Sequence, residues 1–276
     1  MFYEKNKDLM ASYQDFKQSG ALNYRSNNLP IWCPGCGDYA IAHALTLALN
    51  ELKIEQKNVA IGAGIGCSGR FPVFIRGYGM HGVHGRALPL ATGMKLANKD
   101  LTVFAVGGDG DGLGIGGGHL PHAARNNIDI TYILFDNAIY GLTKGQTSPS
   151  AKTGTVSKTT PYGSEGKPLN GSQLVLSYGG SFVARAFSGY PHELKDVLKQ
   201  AISHAGFSFV QVLTPCVVFN KSMTYEFYYE HTQFLPKTYS PNDSYKAIKY
   251  AVNEDPMYLG IFYREERPVY GESSAK

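Results

Sequence analysis

The sequence has no long apolar segment and no long run of charge of one sign. No stretch of 18 apolar residues occurs among the 276, so no transmembrane helix is expected. No five like charges follow one another, which argues against a nucleic-acid-binding tail. The N-terminal segment MFYEKNKDLM lacks a basic start followed by an apolar core, so no secretory signal is expected. These absences predict a cytoplasmic protein with neither a membrane nor a nucleic acid as partner.

Cysteine and charge are scarce, whereas glycine and apolar residues are abundant. The chain has four cysteines and 17% charged residues, against 32 glycines and 43% hydrophobic residues. This composition can bury a sizeable core, and the length suits one α/β domain with extensions. Structural disulfides are rare in the cytoplasm, so the four cysteines need another explanation. The net charge of +4 fits an anionic ligand as well as an ordinary, mildly basic enzyme.

Apolar runs alternate with helical patterns through the middle of the chain. The runs predict strands over 58–64, 101–108, 128–137, 180–189 and 207–216. The helical patterns cover 37–53, 85–98, 117–127 and 191–204. Because each strand is a nearly continuous apolar run, this alternation predicts an α/β fold whose parallel sheet carries helices on both faces. Ligands of such folds bind at the carboxyl ends of the strands.

Three regions follow from this pattern. Residues 1–30 are expected to form an N-terminal arm, residues 31–216 the main domain, and residues 217–276 an aromatic-rich C-terminal tail. The tail could wrap on the body or a partner, or form an extra subdomain. Residues 142–173 are a long polar stretch, which is either disordered or a functional loop.

The segment AVGGDGDGLGIGGGHL (105–120) places Asp109 and Asp111 among eight glycines. A calcium loop is excluded, because Leu113 occupies its third ligand position and Leu120 its twelfth residue. GLGIGG (112–117) does fit a dinucleotide-binding turn, with Asp136 about 20 residues further on. Carboxylates beside a pyrophosphate would repel it, by roughly a few kcal/mol at ~4 Å. A Mg²⁺ ion removes this repulsion, and Asn137 at the next strand end is placed as a second oxygen ligand.

The four cysteines form one local pair and two distant singles. Cys33 and Cys36 lie in WCPGCGDYAI, Cys67 in GIGCSGR and Cys216 in TPC. A thioredoxin-like pair would leave two cysteines unexplained, and structural zinc usually uses two local pairs. Four thiolates can instead bind a 4Fe–4S cluster. Four buried, inert cysteines remain the last alternative.

The order G-D-G (108–110) followed by Asn137 resembles the motif of thiamine-diphosphate enzymes. In that family, the aspartate, the asparagine and one backbone carbonyl hold the Mg²⁺ that binds the diphosphate. The resemblance implies Asp109, Asn137 and the Ile139 carbonyl as metal ligands. It also implies a thiamine-diphosphate-binding fold.

The combined motifs resemble the beta subunit of 2-oxoacid:ferredoxin oxidoreductases over roughly residues 30–216, and the 2-oxoglutarate branch most closely. The resemblance implies a 4Fe–4S cluster on the four cysteines and a substrate contact from Arg70. The cofactor contacts that it implies are Ile65, Gly66, Cys67, Ser68, His84, Gly85, Gly110, Asp111, Gly141 and Leu142.

The family's reaction is the coenzyme A-dependent oxidative decarboxylation of a 2-oxoacid, with electrons passed to ferredoxin. For this branch, the expected conversion is 2-oxoglutarate to succinyl-CoA and CO₂, with a pyruvate or broad-specificity enzyme as alternative. Thiamine enzymes generally need a glutamate that hydrogen-bonds the aminopyrimidine of the cofactor, and the resemblance implies that an alpha subunit supplies it. No glutamate occurs between residues 56 and 164, in keeping with a partner in an (αβ)₂ assembly. An iron–sulfur electron carrier would leave the G-D-G…N motif unused. A nicotinamide-dependent dehydrogenase would leave the cysteines unused.

Overall fold

The computed structural model describes residues 24–272. Most of the predicted N-terminal arm, and the last four residues of the tail, therefore lie outside the described residues. The strands are β1 (Val59–Ala63), β2 (Tyr78–His81), β3 (Thr102–Gly108), β4 (Thr131–Asp136), β5 (Ile139–Tyr140), β6 (Gln146–Thr147), β7 (Phe182–Phe187), β8 (Ser208–Leu213), β9 (Thr232–Phe234) and β10 (Met257–Arg264). The α-helices are α1 (Asp38–Glu51), α2 (Phe71–Phe74), α3 (Ala87–Ala97), α4 (Leu120–Asn126), α5 (Gly171–Ser177), α6 (Pro191–Ser203), α7 (Tyr225–His231) and α8 (Ser244–Ala251).

Eight of these strands form one sheet in the order β2-β1-β3-β4-β8-β7-β10-β9. The six strands from β2 to β7 are mutually parallel, whereas β10 runs antiparallel to β7. From β1 the chain goes outward to β2 and returns to β3 on the other side of β1. The carboxyl ends of β1, β3, β4 and β8 therefore lie along one edge, and the strand order reverses beside β1.

Both faces of the sheet are covered, as the continuous apolar strands predict. On β3, Phe104 and Val106 face the cluster that contains α1 and α6, whereas Val103 and Ala105 face α3, α4 and α5. Successive residues of a strand point to opposite faces, so a strand buried on both sides must be apolar at every position. The predicted fold class is confirmed.

The strong strands and helices predicted from the sequence all occur, with ends shifted by a few residues. The disordered interpretation of residues 142–173 is wrong. This stretch supplies β6, which pairs with β5 just before it, and its hydroxyl groups bond to one another, with 2.7 Å between Thr147 Oγ1 and Thr160 Oγ1. The polar residues of this stretch hydrogen-bond to one another and contact the site described below.

The C-terminal region contributes to the main sheet. Residues 217–272 supply α7, β9, α8 and β10, and β10 lies beside β7. Asn127 at the end of α4 donates from its amide to the carbonyls of Arg267 and Pro268, at 3.3 and 3.2 Å, which attaches the last described residues to the body. Between residues 24 and 272, no helix combines the length and the apolarity needed to cross a bilayer.

Candidate functional site

A cavity of about 440 Å³ lies where the loops after β1, β3 and β4 meet. This is the crevice beside a reversal of strand order, where open α/β sheets bind ligands. The sequence-predicted residues that line it are Ile65, Gly66, Cys67, Ser68, His84, Asp109, Gly110, Asp111, Asn137, Ile139, Gly141 and Leu142. The predicted residues that stand outside its lining are Cys33, Cys36, Arg70, Gly85 and Cys216.

Asp109 follows β3 directly and is only 1% exposed. The hydroxyls of Ser148 and Ser150 donate to its Oδ2, at 2.5 and 2.6 Å. Burial, followed by the charge of Asp136, raises the pKa of Asp109 to about 7, and the two serine hydrogen bonds partly oppose this. A buried carboxylate is costly unless it is paired or binds a cation. Asp109 at the wall of this cavity therefore fits the ligand of a divalent cation.

Asn137 and Ile139 reach the cavity from a tight turn after β4. Ala138 between them has a left-handed backbone with φ 54°. The Asn137 Oδ1 accepts from the Ile139 backbone N–H at 3.1 Å, and Asn220 donates to the Asn137 carbonyl at 2.9 Å. The turn thus holds amide and carbonyl oxygens beside Asp109, and oxygen atoms are the ligands that Mg²⁺ prefers.

Asp111 connects the glycine-rich loop with the two other loops of the site. Its Oδ1 accepts from the backbone N–H of Ile65 at 2.8 Å and of Gly85 at 2.7 Å. His84 Nδ1 also lies 3.0 Å from this oxygen, within ion-pair distance, although it forms no hydrogen bond. Among the described residues, His84 Nδ1 and Asp111 Oδ2 are buried polar atoms without a hydrogen-bond partner. Such atoms are unusual in proteins and are consistent with a site that receives a polar ligand.

At two positions of the glycine-rich loop, close packing leaves no room for a side chain. A Cβ on Gly110 would stand 2.2 Å from the Tyr140 ring, whose hydroxyl donates to the Gly110 carbonyl at 3.0 Å. A Cβ on Gly112 would stand 1.9 Å from the Tyr132 hydroxyl. Residues 110–115 form a wide, π-type helical turn before α4, a feature often found at functional sites.

The four cysteines, all free thiols, converge beside the cavity from three loops. The position that a Cβ on Gly141 would occupy is 3.4 Å from Cys216 Sγ and 3.9 Å from Cys67 Sγ. Burial raises the pKa of Cys67 to about 11, and the charges of Asp38, Cys216 and Cys33 raise it further. Burial also raises the pKa of Cys36, where Asp38, Cys216 and Cys67 act in the same direction. Four neighbouring thiolates would repel one another in this buried position. A positively charged group bound to all four would remove that repulsion.

Over residues 24–272, no three His, Cys, Asp or Glu side chains surround a point where a single metal ion would bind. This arrangement gives no support to a four-cysteine zinc site. A 4Fe–4S cluster binds each of its four thiolates to a different iron, so the sulfurs need not converge on one point.

Asp136, the acidic partner of the dinucleotide-binding alternative, is enclosed by the protein. It is 5% exposed, it accepts from Gln211 Nε2 at 2.6 Å and from the Ala138 N–H at 3.3 Å, and Ser150 Oγ lies 2.7 Å from it. A ribose hydroxyl would have to displace these donors. The structure therefore disfavours the dinucleotide site.

Sequence reasoning missed several residues of the site. Asp38, Gly108, Phe135, Tyr140, Thr143 and Gln146 also line the cavity. Ser148 and Ser150 lie in a polar loop, where nothing in the local pattern distinguishes a serine that contacts Asp109 from one that faces water. Tyr140 follows the Asn137 turn directly, and that proximity was an available signal.

Comparison with known families supports the motif analysis. Residues 64–212 match the C-terminal TPP-binding domain of thiamine pyrophosphate enzymes. Residues 216–276 match the C-terminal region of the pyruvate ferredoxin oxidoreductase beta subunit.

Individual relatives point the same way. The 2-oxoglutarate oxidoreductase subunit KorB of Mycobacterium tuberculosis is 49% identical over 72% of this chain, which spans about half (53%) of that relative. The 2-oxoacid:ferredoxin oxidoreductase subunit beta of a Sulfolobus species is 42% identical, over 87% of this chain and 84% of its own. A solved structure, 2-oxoglutarate:ferredoxin oxidoreductase from Magnetococcus marinus with 2-oxoglutarate, coenzyme A and succinyl-CoA bound, aligns with a TM-score of 0.91. It is 41% identical and the match covers 92% of this chain and 88% of that one.

Proposed function

Because the chain belongs to the beta subunits of 2-oxoacid:ferredoxin oxidoreductases, we propose that it binds thiamine diphosphate with Mg²⁺ next to a 4Fe–4S cluster. One observation carries this proposal. Cys67 lines the same cavity as Asp109 and Asn137, so a thiol set and an oxygen set meet at one site. A metal–diphosphate site alone needs no cysteines, and an iron–sulfur site alone needs no oxygen ligands, so their meeting in one cavity indicates that both groups bind there.

The oxygen set suits Mg²⁺. Asp109, the Asn137 side chain and the Ile139 carbonyl would hold the ion, which usually joins one or two carboxylates to substrate phosphates. Bound thiamine diphosphate would act as an electron sink for the loss of CO₂. The loops around Ile65 and Gly141 would contact the rest of the cofactor, together with Gly66, Ser68, His84, Gly85, Gly110, Asp111 and Leu142.

The thiol set suits a cluster. Cys33, Cys36, Cys67 and Cys216 would each bind one iron, and the cluster would accept single electrons for ferredoxin. Trp32 packs against this region, with its indole N–H donating to the Cys67 carbonyl at 2.8 Å. A hydrogen bond at the backbone of a ligand helps to fix its orientation.

The substrate is proposed to be 2-oxoglutarate, in keeping with the names of the relatives. Arg70 stands three residues after Cys67 on a short helical turn and is half-buried. Its guanidinium can bind a carboxylate through two parallel hydrogen bonds. We assign Arg70 to the carboxylate of the substrate. The alternative to 2-oxoglutarate is pyruvate or a broad range of 2-oxoacids.

The site needs a partner chain. The carboxylates at the cavity are Asp38, Asp109 and Asp111, and none of the described lining residues is a glutamate. The glutamate that contacts the aminopyrimidine is therefore proposed to come from an alpha subunit, in a cytoplasmic (αβ)₂ assembly that reduces ferredoxin.

Anaerobic co-expression with a candidate alpha subunit tests the proposal. The complex should be brown, should bleach on reduction with dithionite, and should reduce a viologen with 2-oxoglutarate and coenzyme A but far more slowly with pyruvate. Faster turnover of pyruvate would favour the alternative substrate. Full activity of the purified chain alone would refute the need for a partner. A colourless, zinc-containing complex would refute the cluster.

A further inference from the structure

A row of buried polar side chains leads from Asp109 across four neighbouring strands. Ser150 Oγ lies 2.6 Å from Asp109 Oδ2 and 2.7 Å from Asp136 Oδ1. Gln211 on β8 donates from Nε2 to Asp136 Oδ2 at 2.6 Å, and Arg185 on β7 donates from Nε to Gln211 Oε1 at 3.2 Å. Both aspartates, Gln211 and Arg185 are at most 5% exposed.

The donors and acceptors of this row allow one orientation of Gln211. A guanidinium only donates and an ionised carboxylate only accepts, so an amide can join them in a single direction. The Arg185 N–H marks Oε1 as the amide oxygen, and the Ser172 hydroxyl, which can donate or accept, donates to the same atom at 2.7 Å. The Gln211 amide group must therefore point to Asp136 Oδ2, and Asp136 Oδ1 turns toward Ser150.

Among the described residues, the charge of Arg185 is buried without a carboxylate in contact with it. Within the described chain it forms no ion pair, and its Nη1 has no hydrogen-bond partner. Nη2 donates to the Ala251 carbonyl at 2.9 Å and to Asn170 Oδ1 at 3.3 Å, and the guanidinium stands 5.2 Å from the centre of the Phe262 ring. Apolar residues often stabilise a core better than buried charges do. A role beyond stability would account for this arginine.

Asp136 contacts both loops that carry the proposed Mg²⁺ ligands. Through Ser150 it meets Asp109, and through the Ala138 N–H it meets the turn of Asn137 and Ile139. We propose that Arg185, Gln211 and Asp136 form a positioning relay, which sets the orientation of Asp109 and of the Asn137 turn for a divalent cation. This inference rests on the proposed function. Its members touch no substrate, so they act through Asp109 and the turn.

A donor swap tests the relay in the anaerobic complex with the alpha subunit. Gln211→Glu places a carboxylate oxygen against Asp136 Oδ2, so we expect Mg²⁺ to bind about 10- to 100-fold more weakly in the presence of thiamine diphosphate, as for other outer-shell changes. In the double variant Asp136→Asn/Gln211→Glu, the new asparagine amide donates to the new carboxylate. This variant should recover most of the lost affinity. Calorimetric titration of the metal-free complex with Mg²⁺ gives the dissociation constants.

The matched control is Thr131→Val, a nearly isosteric change on the same strand as Asp136. Thr131 is buried and its hydroxyl bonds to the Ala201 carbonyl at 3.4 Å, away from the cavity. The Thr131→Val variant should bind Mg²⁺ with the affinity of the wild type. If Gln211→Glu yields no folded complex, Ser150→Ala tests the same relay by removing the shared hydroxyl, and weaker Mg²⁺ binding is again expected.

The outcomes separate the relay from the proposed function. Wild-type Mg²⁺ affinity in Gln211→Glu, or in Ser150→Ala where that variant is needed, would overturn the relay while leaving the proposed function intact. Equal weakness of the single and double variants would also overturn it, because a structural defect is not repaired by a donor swap. A wild-type complex that binds no Mg²⁺ with thiamine diphosphate would refute the proposed function, and the relay with it.

Discussion

Asparagine at position 109 would remove the charge of Asp109 and keep its shape. The asparagine Oδ1 can still accept from Ser148 and Ser150, which both contact Oδ2 of the aspartate. In the metal-free protein, burial and the charge of Asp136 raise the pKa of Asp109 from 3.8 to about 7. One pKa unit is 1.36 kcal/mol, so at pH 8 ionised Asp109 costs the folded state on the order of 4 kcal/mol.

The sign of the pH dependence follows from this raised pKa. The folded protein holds the Asp109 proton more tightly than the unfolded chain does, so its stability is greatest below about pH 4 and falls as the pH rises through about 7. Asp109→Asn lacks this loss. Each kcal/mol moves the melting temperature by roughly 2–4 °C in a domain of this size. The variant should therefore melt roughly 8 °C or more above the metal-free wild type at pH 8, and close to it at pH 4.

Mg²⁺ with thiamine diphosphate should close most of this gap at pH 8. A ligand at 100 times its dissociation constant adds about 2.7 kcal/mol of stability, which the wild type should gain and Asp109→Asn should not. Differential scanning calorimetry of the anaerobic complex, at pH 4 to 8 with and without the ligands, measures both effects. A melting difference that does not change with pH would refute the electrostatic reasoning. An equal gain from Mg²⁺ in both proteins would refute the assignment of Asp109 as a metal ligand.

Three further changes test other parts of the site. Arg70→Ala should raise KM for the 2-oxoacid while thiamine diphosphate binds almost as in the wild type, and steady-state kinetics with a cofactor titration would detect an unchanged KM, which contradicts the role. Cys216→Ser should abolish or greatly reduce the dithionite-bleachable absorption, and a fully brown variant would remove Cys216 from the ligand set. Gly110→Ala drives a methyl group into the Tyr140 ring, so we expect a lower melting temperature and weaker cofactor binding. The double variant Gly110→Ala/Tyr140→Ala opens that space, and failure to recover stability would contradict the steric explanation.

The core of the fold could be predicted because its strands are buried on both faces. Runs such as LTVFAVGG (101–108) have no other stable position than the centre of a covered parallel sheet. Strands at the margins lack this signal. All four residues of β2 are exposed, and β10 contains a register shift between Ile261 and Tyr263 that breaks the period of two. A bulge of this kind hides a strand from pattern reasoning.

The candidate site could be predicted where one short segment carries several of the proposed site residues. Asp109 and Asp111 are close in sequence and follow the end of β3, so topology places them, and Cys33 and Cys36 are close in sequence in the loop before α1. The contacts of Ser148 and Ser150 with Asp109 join residues about 40 positions apart through an irregular loop. Gln211 contacts Asp136, and Arg185 contacts Gln211, from strands whose order the sequence leaves open. Such contacts depend on register, which local patterns do not specify.

The two aspartates of the glycine-rich loop have separate tasks. Charge repulsion between carboxylates and a pyrophosphate was the argument against a dinucleotide site, and it treated both side chains alike. In the structure, the Oδ1 of Asp111 is occupied by the N–H groups of Ile65 and Gly85, and it lies beside His84. Backbone donors disperse that charge and hold three loops together. The repulsion therefore arises mainly from Asp109, the carboxylate that a divalent cation would neutralise. One bound ion would therefore be enough to let a diphosphate approach a loop that contains two acids.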